Sequence, residues 1–122
     1  MRDTPLPSTN LLVACLCAQW CDVCGEYQTL FDRLASKLAA QVKFQWVDIE
    51  DHDEVLGAVE VDDFPTLLIA RGDRPVFFGT VTTQAATLAH LVQSALDLRL
   101  TPLTDPTLEA LAQRVHELAC KG

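Results

Sequence analysis

Leu11-Leu12-Val13-Ala14-Cys15-Leu16-Cys17-Ala18-Gln19-Trp20-Cys21-Asp22-Val23-Cys24 is the stretch from which the rest of the chain can be read. Leu11 to Ala18 is an unbroken apolar run of strand length. Trp20-Cys21-Asp22-Val23-Cys24 then opens a helical pattern that continues through Tyr27, Leu30, Phe31, Leu34 and Leu38. A Cys at a helix N-terminus meets the positive end of the helix dipole and unpaired backbone N–H groups, which favour thiolate over thiol. Cys21 is therefore the candidate nucleophile. Cys24, one helical turn on, is placed to attack a mixed disulfide at Cys21 and release the substrate reduced, which makes it the candidate resolving thiol.

A C-x-x-C pair also serves zinc, which needs four ligands, usually two such pairs or a pair with a spaced His-His element. The chain has no second C-x-x-C, and His52, His90 and His116 show no ligand spacing. A zinc site built from Cys15, Cys17, Cys21 and Cys24 would require the strand to fold back on the helix start. The redox reading is preferred and no metal is expected.

With these residues in view, the chain resembles the thioredoxin family. Ala18-Gln19-Trp20-Cys21-x-x-Cys24 between a strand and a helix is similar to that family's active-site pattern. Phe64-Pro65-Thr66-Leu67-Leu68-Ile69 is similar to its second signature, a strand entered through a cis-proline. The resemblance runs from about Leu11 to about Leu98. It implies an α/β, thioredoxin-like fold with a central mixed four-stranded sheet flanked by helices, a shortened N-terminus and an extra C-terminal helix. At 122 residues one domain is expected, with a core at about 11–98 and a helical extension at about 105–120.

Periodicity fills in the elements. The first helix should end near Ala40, Val42 to Asp48 alternates as a strand, and Asp51 to Val59 reads as a short helix. Leu67 to Ala70 and Val76 to Phe78 flank Arg71-Gly72-Asp73-Arg74, a hairpin signal in which Arg71-Gly72-Asp73 is turn chemistry rather than an adhesion tripeptide. Thr82 or Thr83 should cap a helix with Leu88, Leu91, Val92, Ala95 and Leu96 on its apolar stripe. After a loop at Thr101 to Thr104, Asp105 as N-cap and Pro106 at the first position start a last helix with Leu108, Leu111, Val115 and Leu118 on one face. That face is expected to cover the sheet or the space left by missing N-terminal elements, ahead of binding a partner.

Charge and cysteine usage bound the function. The net charge is −8, and between Lys43 and Arg71 there is no Lys or Arg while Asp48, Glu50, Asp51, Asp53, Glu54, Glu60, Asp62 and Asp63 fall there. Nucleic acid and anionic membranes are poor partners for such a surface. It is read first as a solvated face, and second as a means of steering a basic partner toward Phe64-Pro65. A calcium loop counted from Asp48 fails, because its sixth residue is Asp53 and its twelfth Val59. Five cysteines, unevenly spread, make a poor disulfide framework and suggest a reducing compartment, with Cys120 a bystander. Leu12-Val13-Ala14-Cys15 resembles a lipoprotein cleavage box but lacks the basic start and long apolar stretch of a signal peptide. A cytoplasmic monomer is expected, with no stretch long enough to span a membrane.

The resemblance also implies a substrate site. An extended segment would lie against Phe64, Pro65 and Thr66 by main-chain pairing, with Trp20 as an apolar shoulder and Gly79 leaving room for the substrate backbone. Four residues would tune the redox pair. Where the family's thioredoxins carry a buried Asp, proton acceptor for the resolving cysteine, this chain has Cys15, and the partnering lysine position holds Trp46. Water or Cys15 itself is left to take the proton. Asp22 and Val23 replace the usual Gly-Pro, and the Asp22 anion opposes a Cys21 thiolate. The expected activity is thiol-disulfide exchange on proteins or small thiols, with no cofactor beyond an external electron donor such as a thioredoxin reductase or glutathione. The alternatives are a thioredoxin-fold binding module with a vestigial redox pair, and a zinc-binding regulator.

Overall fold

Leu11–Cys17 forms β1, and every one of its residues is buried, as a strand covered on both faces requires. Residues 11–18, 22–38, 42–57, 59, 61, 64–72 and 74–121 are described by a computed structural model. The other elements are α1 (Asp22–Leu38), β2 (Val42–Asp48), α2 (Asp53–Leu56), β3 (Thr66–Arg71), β4 (Arg74–Thr80), α3 (Ala85–Leu96) and α4 (Pro106–Lys121). The sheet is mixed and four-stranded, in the order β2-β1-β3-β4, with β1 parallel to β2 and antiparallel to β3, and β3 antiparallel to β4. It is the sheet expected from the sequence, flanked by helices as expected.

Period-two alternation divides the core. Leu11, Val13, Cys15 and Cys17 of β1, with Leu67 and Ile69 of β3, pack under Cys24, Tyr27 and Phe31 of α1 and Leu88, Val92 and Ala95 of α3. Leu12, Ala14 and Leu16, with Leu68 and Ala70, face the opposite way and meet Val55 of α2 and Leu111, Ala112 and Val115 of α4. The last helix thus covers the second face of the sheet. Asp105 starts it as expected, its Oδ1 accepting the Thr107 N–H at 2.9 Å, a cap that contributes about 1 kcal/mol.

Long-range hydrogen bonds tie the helix ends to the sheet and to each other. Arg114 of α4 donates from Nε to the Val55 carbonyl at 2.5 Å and from Nη2 to the Leu56 carbonyl at 2.9 Å, holding the open C-terminal end of α2. His116 bonds through Nε2 to the Gly72 carbonyl at 2.5 Å, which fixes α4 to the β3–β4 hairpin. Arg71 donates to the Ala95 carbonyl at 2.6 Å, at the end of α3. Its guanidinium serves the fold, and Gly72 turns the hairpin at φ 65°; Asp73 lies outside the described residues.

Two expected helices differ from what forms. Instead of running from Asp51 to Val59, α2 is a single turn, Asp53–Leu56, ended by Gly57 at φ 57°, a conformation glycine adopts without steric cost. Neither Thr82 nor Thr83 caps α3. That helix starts at Ala85 behind an extended Gln84 with no side-chain cap, and the Thr82 hydroxyl bonds the Thr87 hydroxyl at 3.0 Å instead. The first helix ends at Leu38 rather than near Ala40.

Candidate functional site at the end of the central strand

Register brings three chain ends together. Leu16 of β1 is paired with Thr66 at the start of β3, so the exit of β1 lies beside Phe64-Pro65, while α1 begins a few residues after β1 ends. The Phe64–Pro65 peptide is cis, as the second signature implies. The Pro65 carbonyl accepts the Val81 N–H at 3.1 Å, which anchors the entry to β3 against the end of β4. Thr66 is buried and faces Thr80 across the β3–β4 ladder. Gly79 pairs with Leu67, and a Cβ there would make only an ordinary contact at 3.7 Å with the Phe77 ring. Packing among the described residues does not require a glycine at that position.

Cys24 sits on the first turn of α1, 3% exposed, and is joined in a disulfide to Cys17, with the Cα atoms 5.9 Å apart. The redox reading paired Cys24 with Cys21 and used Cys17 only in the alternative zinc site. The cause is tertiary. Cys17 ends β1 on the face that receives α1, which brings its sulfur under the helix start. Cys15 points to the same side, and its Sγ lies 3.9 Å from that of Cys17. Three sulfurs therefore cluster with the strand extended, and no folding back is needed. Among the described residues no group of three or more His, Cys, Asp or Glu is placed to hold a metal ion. Trp20 and Cys21 lie outside the described residues. Asp22 is the exposed first residue of α1, Val23 follows it in that helix, and Cys120 lies in α4.

Trp46 is the register partner of Cys15 on β2 and packs edge-on against Phe31, with ring centroids 5.6 Å apart. The position beside Cys15 is thus aromatic, with no cation to support a buried carboxylate. Asp48, two residues on, is the register partner of Cys17. It lines a cleft of about 320 Å³ together with Ala18, Cys24, Gln28, Trp46 and Asp51. This carboxylate in the wall beside Cys24 was missed because the acceptor was sought on β1. The signal was the alternation of β2, which puts Phe44, Trp46 and Asp48 on one face.

Cys15 is wholly buried, and burial holds its thiol well above the usual thiol range. A thiol held above its usual range is a poor acceptor for the Cys24 proton near neutral pH, which leaves water as the acceptor of the two expected. Tyr27 is raised too, by burial first and by the nearby Cys15 charge second. Among the described residues its buried hydroxyl has no hydrogen-bond partner.

A pH dependence follows from these two groups. In the unfolded chain they ionise at ordinary values of about 8.5 and 10. As pH rises, the unfolded state loses these protons while the folded state keeps them, so stability is intact below about pH 8 and falls above it. The slope is up to about 1.4 kcal/mol per pH unit for each group. Urea titrations between about pH 7 and pH 10.5 should show the decline, and Cys15→Ala should lessen it. An identical decline in that variant would remove Cys15 from the account.

The sequence profile of the family described as Thioredoxin matches residues 5–94. Among curated proteins, Thioredoxin H2-1 of Oryza sativa subsp. japonica is 32% identical over 74 residues, which cover 61% of this chain and 53% of that protein. The chain spans about half the length of this relative. Among solved structures, the germline-specific thioredoxin protein Deadhead of Drosophila melanogaster superposes with a TM-score of 0.64 at 20% identity, over 72% of this chain and 83% of its own. Thioredoxin from Trypanosoma brucei brucei superposes with a TM-score of 0.63 at 24% identity, over 73% and 77%. At these identities the two structures speak to the fold. The last helix, Pro106–Lys121, lies beyond the profile match.

Proposed function

This chain belongs to the thioredoxin family, and on that premise we propose that it is a thiol-disulfide oxidoreductase acting on disulfides of proteins or small thiols. The Cys21 thiolate attacks one sulfur of the substrate disulfide, forming a mixed disulfide and expelling the first substrate thiolate. Cys24 then attacks the Cys21 sulfur, forms the Cys21–Cys24 bond and releases the second thiolate. An external dithiol or thiol donor, such as a thioredoxin reductase or glutathione, restores the pair. The observation that carries this reading is the position of Cys24, already engaged in a disulfide on the first turn of α1, where β1 exits beside the cis Phe64–Pro65 bond.

The substrate segment would lie along Phe64, Pro65 and Thr66, with Trp20 and Gly79 bounding it. Asp48 and Asp51 in the adjoining cleft favour a basic neighbour to the target disulfide over an anionic one. Among the described residues no helix is long and apolar enough to cross a membrane. A buried free thiol at Cys15 accords with a reducing compartment such as the cytoplasm, and the protein is proposed to act there as a monomer. The test is reduction of an aromatic disulfide by the purified protein with dithiothreitol as electron source. No acceleration over dithiothreitol alone would overturn the reading.

A further inference from the structure

Cys24 is the one sulfur required by two different bonds: the Cys21–Cys24 disulfide that turnover would form and the Cys17–Cys24 disulfide present in the structure. We propose that Cys17 is a third redox thiol of the site, which takes Cys24 out of the Cys21–Cys24 disulfide, stores the oxidation in the core and leaves Cys21 free to attack again. The origin of the Cys21–Cys24 bond rests on the oxidoreductase reading above; the exchange itself is internal.

The step balances without a further reagent. The Cys17 thiol gives up its proton, and its Sγ attacks the Cys24 Sγ. The Cys17–Cys24 bond forms as the Cys21–Cys24 bond breaks, and Cys21 departs with the electron pair as a thiolate. One disulfide is consumed and one is made; the two oxidising equivalents entered earlier from the substrate disulfide. The proton leaves by the cleft wall, where Asp48, register partner of Cys17, lines the cavity with Cys24 and offers a carboxylate.

Three observations set the direction. Cys17 and Cys24 are 1% and 3% exposed, so the bond between them, once formed, is shielded from thiols in solution. The strand and helix hold the two Cα atoms 5.9 Å apart, within the roughly 4.4–6.8 Å span usual for disulfides. Cys21 directly precedes α1 in the sequence, and a cysteine at a helix N-terminus is in general the better leaving thiolate, an advantage that the neighbouring Asp22 anion reduces. Reduction of the stored bond then runs in reverse, through attack of Cys21 on Cys24. Among the described residues, the cleft that Cys24 lines is walled by Asp48 and Asp51, which disfavour anionic thiols there.

Disulfide mapping tests the proposal without relying on substrate turnover. The reduced chain is oxidised with a slight excess of an aromatic disulfide, its free thiols are blocked in acid, and the chain is cleaved after Trp20, which separates Cys17 from Cys21 and leaves Cys21 and Cys24 on one fragment. Fragment masses should show Cys24 bonded to Cys17 and Cys21 labelled, in at least about tenfold excess over the Cys21–Cys24 form. In Cys17→Ser the pattern should invert to Cys21–Cys24. Glutathione should reduce the Cys17–Cys24 bond at least about tenfold more slowly in Cys21→Ser than in the parent. A parent protein with Cys17 labelled and Cys24 bonded to Cys21 would overturn the proposal. So would equal reduction rates with and without Cys21, since the bond would then be static. A protein that exchanges as described yet does not accelerate substrate reduction would defeat the oxidoreductase reading alone.

Discussion

Replacing Cys24 by Ser should lower disulfide turnover by at least about a hundredfold and leave substrates covalently held on Cys21. A hydroxyl in place of the Cys24 thiol has far too high a pKa to attack a mixed disulfide near neutral pH, so the first half-reaction proceeds and the second stops. The same substitution removes the Cys17–Cys24 bond, leaving the oxidised chain no internal partner on α1. Cys21→Ser should be equally inactive and should trap nothing, because no mixed disulfide forms at all. Cys15→Ala should retain turnover, since burial holds that thiol well above its ordinary range and neither the Cys21–Cys24 step nor the Cys17–Cys24 bond uses it. Non-reducing electrophoresis of each variant after exposure to a disulfide-bonded protein separates these cases. If Cys24→Ser kept more than a tenth of the parent rate, the assignment of the resolving thiol would fail.

The strands were legible for a simple reason. β1 and β3 are continuous apolar runs because both of their faces are covered, and β2 alternates because its two faces meet different surroundings. Asp105-Pro106 announced α4 through local capping chemistry, which needs no knowledge of the rest of the fold. The entry to β3 through Pro65 was legible only by its likeness to a known family.

What could not be read depends on contacts distant in sequence. Alternation alone puts Cys15 and Cys17 on one face of β1, yet only the docking of α1 on that face brings Cys17 to Cys24. The shortening of α2 has a tertiary part as well as the local one at Gly57: Arg114 takes the Val55 and Leu56 carbonyls from across the second layer, in a segment whose apolar pattern promised more helix. Arg71 looked like part of a turn, and its role emerges from the Ala95 carbonyl it meets. Asp48 was lost among eight neighbouring acids until the register set it beside Cys17.

Leu111→Ala should cost about 2–5 kcal/mol of folding free energy, although its helix lies beyond the part of the chain that matches the family. Leu111 is 0% exposed and shares the second core with Leu12, Ala14, Leu16, Leu68 and Ala70. Truncating it removes the transfer energy of the side chain and leaves a cavity between a sheet and a helix held by the Arg114 and His116 hydrogen bonds, which limit collapse. Leu111→Asp should go further and unfold the chain, because an unpaired carboxylate in that layer adds a charge with no partner. Gln113→Ala, on the exposed face of the same helix, should stay within about 0.5 kcal/mol of the parent. Urea unfolding followed by circular dichroism gives all three values. A loss below about 1 kcal/mol for Leu111→Ala would mean that α4 rests on the sheet without sharing its cooperative unit. The second face of β1, apolar at every position, would then need another cover.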